Sequence, residues 1–427
     1  MQTKELLLKL FHSAIEEVSP ENLIHKHCTL EGTIFSVDEQ AYDLSKYGRI
    51  CVFGSGKAAY SMAQALEPML TDFIASGLVV SPVCKESIGK ITCMESDHPL
   101  PSERSIQGAK ALIEEMSACH CNDLYIYLLS GGSSALIELP AKGISLDDFQ
   151  EATELMLKNS LKIDEINAVR KHLSDIKGGR LGGYSQAEGI VLGISDVIGD
   201  DLYSIGSAPL YADISRYKDA IEILHSYAIF EKMPKSVRIA LKEGMDGMRL
   251  ETPKTPSSKI KHFLLGTNML ARKAVDRKAH ELGLDVYMPD EEINSDVILA
   301  SQKMLERAFS LNQKVFIFGG ETTVKVTGKG KGGRNQHCVL NMLLLAQEKG
   351  LKFSFLSAGT DGIDGNSNAA GAVVDTHSLA LAKTQGLDIK TYLKENDSYH
   401  FFKKLDSLVM TGPTGTNVMD IAILIKE

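Results

Sequence analysis

The sequence predicts an α/β protein of two domains, the first a Rossmann-like doubly wound parallel sheet and the second a smaller domain with a mixed sheet. Three observations predict it. The chain has 427 residues, more than one ordinary core serves. Short apolar runs without polar alternation (RICVFG, GLVVSP, LYIYLLSGG, GIVLGISD) alternate with helical patterns such as SERSIQGAKALIEEMSA, as strands buried on both faces do. The stretch RLETPKTPSSKIK, 249 to 261, breaks that pattern with prolines, serines and threonines, which predicts a junction and domains of 1–250 and 251–427.

The N-terminal MQTKELLLKLFHSAIEEVSP alternates charge and leucine at helical spacing, unlike the apolar core of a signal peptide. No run of about 18 apolar residues occurs. A cytoplasmic location without a membrane partner is expected. Seven cysteines, an odd number with no C-x-x-C pair, predict reduced core thiols, and Cys119-His120-Cys121 reads as a helix end. Beyond residue 261, HFLLGTN, DVYMP, KVFIFGG, FSFLSAG and LVMTG read as strands of the second domain, with a helix through ARKAVDRKAHELG. TTVKVTGKGKGGRN alternates and then turns, which predicts an antiparallel hairpin or an edge arm. A net charge of −9 argues against a nucleic-acid surface and for small ligands.

Six apolar runs end in polar glycine loops: VFGSGKAA, LLSGGSSA, GISDVIGDD, FGGETT, SAGTDGIDG and TGPTGTN. Ligands of open α/β sheets bind outside the carboxyl ends of the strands, where glycines let backbone N–H groups approach. The repetition points to one polar site fed from both domains. Gly54-Ser55-Gly56-Lys57-Ala58-Ala59 satisfies G-x-G-x-x-[GA], but GLVVSP ends in serine and proline instead of the acid that would hold a ribose. Nor is it a P-loop, which needs a longer loop and a hydroxyl after the lysine. An anion-binding helix start with a lysine remains. Ser130-Gly131-Gly132-Ser133-Ser134 forms a second nest, and it lacks the G-x-S-x-G pattern of a nucleophilic serine. Asp196, Asp200, Asp201, Glu321, Asp361 and Asp364 place six carboxylates at strand ends, a supply suited to magnesium held with substrate phosphates. Asp364 also suits a helix cap. Lys329, Lys331 and Arg334 lie in a glycine-rich arm able to move over a substrate, with Arg334 at a helix start and fit for bidentate contact with a carboxylate or phosphate.

Taken in order, VFGSGKAAYSMA, SDHPLPSERS, LLSGGSSAL, INAVRKHLSDIKGGRL, ISDVIGD, FGGETTVKVTGKGKGGRNQ, AGTDGIDGNSNAAGAVVD and GPTGTN resemble the glycerate 2-kinases of the MOFRL type, some of whose relatives have been called hydroxypyruvate reductases. The resemblance covers nearly the whole chain and departs at Asn366-Ser367-Asn368, where relatives often carry proline and an acid. It implies a glycerate kinase domain followed by a MOFRL-type domain, an active site in the cleft between them, and ATP-dependent phosphorylation of D-glycerate to 2-phosphoglycerate. It also implies that Lys57 and Arg334 are central.

On this reading Lys57, Arg334 and Asp196 are catalytic, with Asp196 able to accept the hydroxyl proton. Gly54, Ser55, Gly56, Ser130, Gly131, Gly132, Ser133, Ser134, Glu321, Thr416 and Asn417 bind nucleotide or substrate. Asp196, Glu321 and Asp361 take Mg2+, or Mn2+ in its place. The substrate carboxylate falls to the Ser130–Ser134 nest or to Arg334. Two other classes use some of the same residues: an NAD(P)-dependent hydroxypyruvate reductase, and a non-catalytic sensor of organic acids, against which the six carboxylates count. Monomer and homodimer both remain open.

Overall fold

The computed structural model describes residues 3–427 and divides into two compact units. One is 24–265; the other is 266–427 together with the N-terminal residues through Leu23. Both edges differ from the expected 1–250 and 251–427. The N-terminal helix Thr3–Glu17 buries Leu7, Leu10, Phe11 and Ala14 and packs on the helix Asn268–Glu281, with Glu17 paired to Arg277 at 2.6 Å. At the other edge, residues 249–254 are bound into the first unit and form no linker. Glu251 accepts the Tyr217 N–H at 2.9 Å, the buried Thr252 hydroxyl donates to Asp213 at 3.0 Å, and the Asp213 N–H donates to the Pro253 carbonyl at 2.8 Å. A polar, proline-containing stretch has the same composition whether its hydrogen bonds go to water or to a neighbouring buried acid.

In the first unit a three-stranded antiparallel sheet (Cys28–Glu31, Ile34–Val37, Gln40–Asp43) precedes a six-stranded one. The strands of the larger sheet lie in the order Ile91–Glu95, Ile74–Ser81, Ile50–Ser55, Leu124–Leu129, Glu188–Ile194, Ile260–Gly266, and the first five are mutually parallel. Numbered along the chain this is 3-2-1-4-5-6, the doubly wound order, whose switch point falls between Ile50–Ser55 and Leu124–Leu129. Every residue of these two strands is buried, as their unbroken apolar runs require. HFLLGTN is therefore the edge strand of the first sheet and not the opening of the second domain. Helices Leu146–Lys158, Ile163–His172, Tyr217–Ser226 and Lys235–Met245 bury a separate core of Phe149, Val169, Leu224 and Val237. Cys84 and Cys93 form a disulfide and the other five thiols are free, which corrects the expectation of seven reduced cysteines. Spacing hid the pairing: the turn after Cys84 brings Cys93, in the strand Ile91–Glu95, back beside it.

The sheet of the second unit is mixed, as expected. Its order is Val286–Tyr287, Val315–Thr323, Asp420–Lys426, Phe353–Gly359, Gly371–Val374, Leu408–Val409, and Ile293–Asp296 also pairs with Val315–Thr323. The two strands 286–287 and 293–296 run parallel to 315–323, and the remaining pairs are antiparallel. The last strand lies near the middle, between the strands 315–323 and 353–359. No hairpin forms at 322–334. Residues 324–333 instead lie along 395–399, with the Gly330 N–H donating to the Glu395 carbonyl at 2.8 Å and the Tyr399 N–H to the Lys331 carbonyl at 2.9 Å. A side chain at Gly328, Gly330, Gly332 or Gly333 would strike this neighbouring chain or the 364–365 turn, so these glycines serve close approach, in contrast to the mobile arm expected from the sequence.

Candidate active site

Two loops meet at the switch point of the first sheet. The strand Ile50–Ser55 ends in Gly56, at φ 135°, where any side chain would collide with Ser130. The Lys57 N–H then donates to the Gly131 carbonyl at 2.9 Å, and the Ala58 N–H, at the start of the helix Ala59–Leu70, to Ser130 Oγ at 2.9 Å. Ser55 Oγ lies 2.6 Å from both Tyr127 OH and Ser133 Oγ. Ser55, Ser130 and Ser133 are buried, so their hydroxyls bind one loop to the other. Gly54 sits inside the strand, where a β-carbon would come 2.8 Å from the Leu128 carbonyl. These residues shape the site from beneath.

Charged and polar side chains crowd the two glycines above them. A side chain at Gly131 would occupy the place of the Asp196 carboxylate, and one at Gly132, at φ 81°, would press on Lys57 Cγ and His98 Cδ2, each 3.1 Å from the added carbon. Lys57, Asp196 and His98 thus converge on adjacent residues, although they come from three separate loops. Sequence reasoning missed His98; its signal was the polar SDHP that follows the short strand Ile91–Glu95. Ser134 Oγ accepts from the buried Ser207 hydroxyl at 3.0 Å. Asp201 accepts from Tyr203 OH at 2.8 Å.

In the second unit Arg334 opens the helix Arg334–Lys349. Its Nε and Nη2 donate to the two oxygens of Asp420 at 2.6 and 3.0 Å, and its Nη1 donates to Glu321. Burial works against the guanidinium charge, but Asp420 and Glu321 outweigh it and raise its pKa. The bidentate fork expected to face a ligand is therefore engaged by a protein carboxylate, Asp420. Asp420, also missed, is the one acid leading into the apolar strand IAILIK. A side chain at Gly359 would come 3.2 Å from Asp361 Oδ1 and 3.4 Å from Asp420 Oδ1, which places both acids at one strand end. Next to it, Gly330, Gly333, Arg334, His337, Asn366 and Ser398 help line a cavity of about 470 Å³. Thr416 is buried and donates to the Val18 carbonyl at 2.7 Å, and Asn417 Oδ1 accepts the Met419 N–H at 3.2 Å. Arg334→Lys keeps the charge but cannot span Asp420 and Glu321 together; kcat/KM is expected to fall at least about tenfold, and wild-type kinetics would show that charge alone suffices.

Asp364 is a cap reached from a distant segment. It accepts the N–H groups of Asn335 at 3.0 Å and Gln336 at 2.9 Å at the start of the helix Arg334–Lys349, and Gln336 Nε2 at 2.9 Å. Burial pushes its pKa up to about 6. With the folded value above the unfolded one, the native state binds the extra proton between about pH 6 and 4, so this group's contribution to stability grows as pH falls through that window. Asp364→Asn removes the effect. The urea midpoint of wild type is expected to rise relative to that of Asp364→Asn from pH 7 to pH 5; a constant difference would contradict the raised pKa.

Glycine nests, a lysine and a carboxylate gather at the switch point of a doubly wound sheet, the place where open α/β sheets bind small ligands. The domain of unknown function DUF4147 matches residues 6–242 and the MOFRL family matches residues 314–420. The glycerate 2-kinase of Pyrococcus horikoshii is 37% identical over 435 residues, covering 100% of this chain and 98% of that protein. The crystal structure of a glycerate kinase from Thermotoga maritima superposes with a TM-score of 0.83 at 33% identity, covering 100% of this chain and 99% of that one. A putative hydroxypyruvate reductase of Agrobacterium vitis is 37% identical over 392 residues, 88% of this chain and 100% of that protein. The chain belongs to the MOFRL-type glycerate kinase family.

Proposed function

We propose that the protein is a glycerate 2-kinase that transfers the γ-phosphoryl group of ATP to the 2-hydroxyl of D-glycerate, yielding 2-phosphoglycerate and ADP. The observation that carries this reading is the convergence of Lys57 and Asp196 on Gly131 and Gly132 at the switch point. Phosphoryl transfer asks for positioning and charge neutralisation, and those residues supply both. The substrate hydroxyl oxygen bonds to the γ-phosphorus as the bond to the ADP oxygen breaks, and the hydroxyl proton passes to Asp196. Lys57 draws the transferring phosphoryl group to the loop. Arg334, oriented by Asp420 and Glu321, offers its remaining N–H edge to a phosphate or to the glycerate carboxylate.

Among the described residues no group of three or more His, Cys, Asp or Glu side chains is arranged to hold a metal. On this reading a magnesium ion is kept by one or two carboxylates and the substrate's own phosphates. Asp196 in the first unit, or Glu321 or Asp361 in the second, would hold it. When bound, magnesium neutralises phosphate charge.

The strand Ile74–Ser81 ends in buried Ser81 and then Pro82, with no acid for a nicotinamide ribose, which favours the kinase over the reductase. The test is ADP release coupled to D-glycerate, with the product's phosphorylated position read by phosphorus NMR. Oxidation of NADH or NADPH by hydroxypyruvate, with no ADP release from glycerate and ATP, would replace this reading with the reductase.

A further inference from the structure

The motif INAVRKHLSDIKGGRL carries charges that phosphoryl transfer leaves unused. Two of its cations meet one backbone atom of the Ser130–Ser134 nest: Lys177 Nζ donates to the Ser134 carbonyl at 2.8 Å and Arg170 Nη2 donates to the same carbonyl at 3.1 Å. Glu138 pairs with Lys177 at 2.9 Å and lies 4.0 Å from Arg170. Its other oxygen accepts the Ser174 hydroxyl at 2.6 Å and the Leu139 N–H at 3.0 Å. Glu138 is 0% and Lys177 1% exposed. Burial lowers the Lys177 pKa to about 8, so the ion pair is held at a cost in desolvation. Replacing such a pair with neutral groups of similar volume is often harmless to stability. Global stability is thus a weak account of why a buried lysine and acid gather with a partly buried arginine at one loop carbonyl.

We propose that Lys177 and Glu138 are positioning residues for phosphoryl transfer: their buried pair, with Arg170, fixes the Ser134 carbonyl and so keeps Gly131 and Gly132 in register with Asp196 and Lys57. This rests on the kinase reading. Small displacements of such a loop are costly, since a shift of about 1 Å in bound geometry lowers rates about a hundredfold.

The double variant Lys177→Met, Glu138→Gln removes both charges while nearly preserving volume. It is expected to melt close to wild type, with kcat at least about tenfold lower, KM for ATP and glycerate little changed, and faster hydrogen exchange over residues 131–136. Wild-type kcat and exchange in a stably folded double variant would overturn the proposal. Should that protein fail to fold, Arg170→Met, which leaves the Lys177–Glu138 pair intact, is expected to give the same kcat loss and faster exchange, and wild-type behaviour there would overturn it equally. A wild-type enzyme without kinase activity would sink the kinase reading instead, and the exchange comparison would still decide whether these residues fix the loop.

Discussion

Lys57→Ala is expected to lower kcat by at least about a hundredfold, the size of effect found when one preorganised donor is removed from a developing negative charge. The fold should survive it. The backbone bonds of position 57 are kept, since the N–H that reaches the Gly131 carbonyl belongs to alanine as well as lysine, and the side chain lies half-exposed over Gly132 rather than in the core. Steady-state kinetics with a thermal melt on the same preparation separate the two effects. Near-normal turnover would make Lys57 a bystander, and lost turnover with a collapsed melt would assign it to folding.

Chelation is expected to abolish activity, with return on adding magnesium or manganese. Magnesium is usually held by one or two carboxylates together with substrate phosphates, so on this reading EDTA competes with a site that the substrate completes. Wild-type protein assayed in excess EDTA, then titrated with each cation, reads this directly. The melting temperature of the protein without nucleotide is expected to be indifferent to EDTA if the cation is completed by substrate phosphates. Full activity in chelator would remove the metal from the mechanism; a melt that falls in EDTA alone would reveal a structural ion.

The parts of the site legible in the sequence are those where backbone geometry dictates residue type. Gly56 and Gly132 hold φ of 135° and 81°, values that favour glycine, and each closes an apolar run already readable as a strand. Lys57 and Asp196 follow such runs directly, so their place at the strand ends was legible with them. His98 and Asp420 were not. The strand before His98 is five residues long and only partly buried, and the strand after Asp420 reads as an apolar terminus with nothing to mark it as central.

By itself the sequence determined the alternation of buried strands and helices, the glycine loops at their ends and the helix of the first residues, because each follows from local periodicity and from backbone angles set over a few residues. Tertiary structure decided which unit owns each piece. Apolar helices bury equally well on any complementary face, and only packing of Leu7, Leu10 and Phe11 places the N-terminal helix with residues 266–427. It likewise decided what polar side chains do. Thr416, Ser130 and Asp364 carry the chemistry of a binding site, yet their bonds run to Val18, Ala58 and the helix at 334, since a hydroxyl or carboxylate serves whichever donor or acceptor the fold brings within about 3 Å.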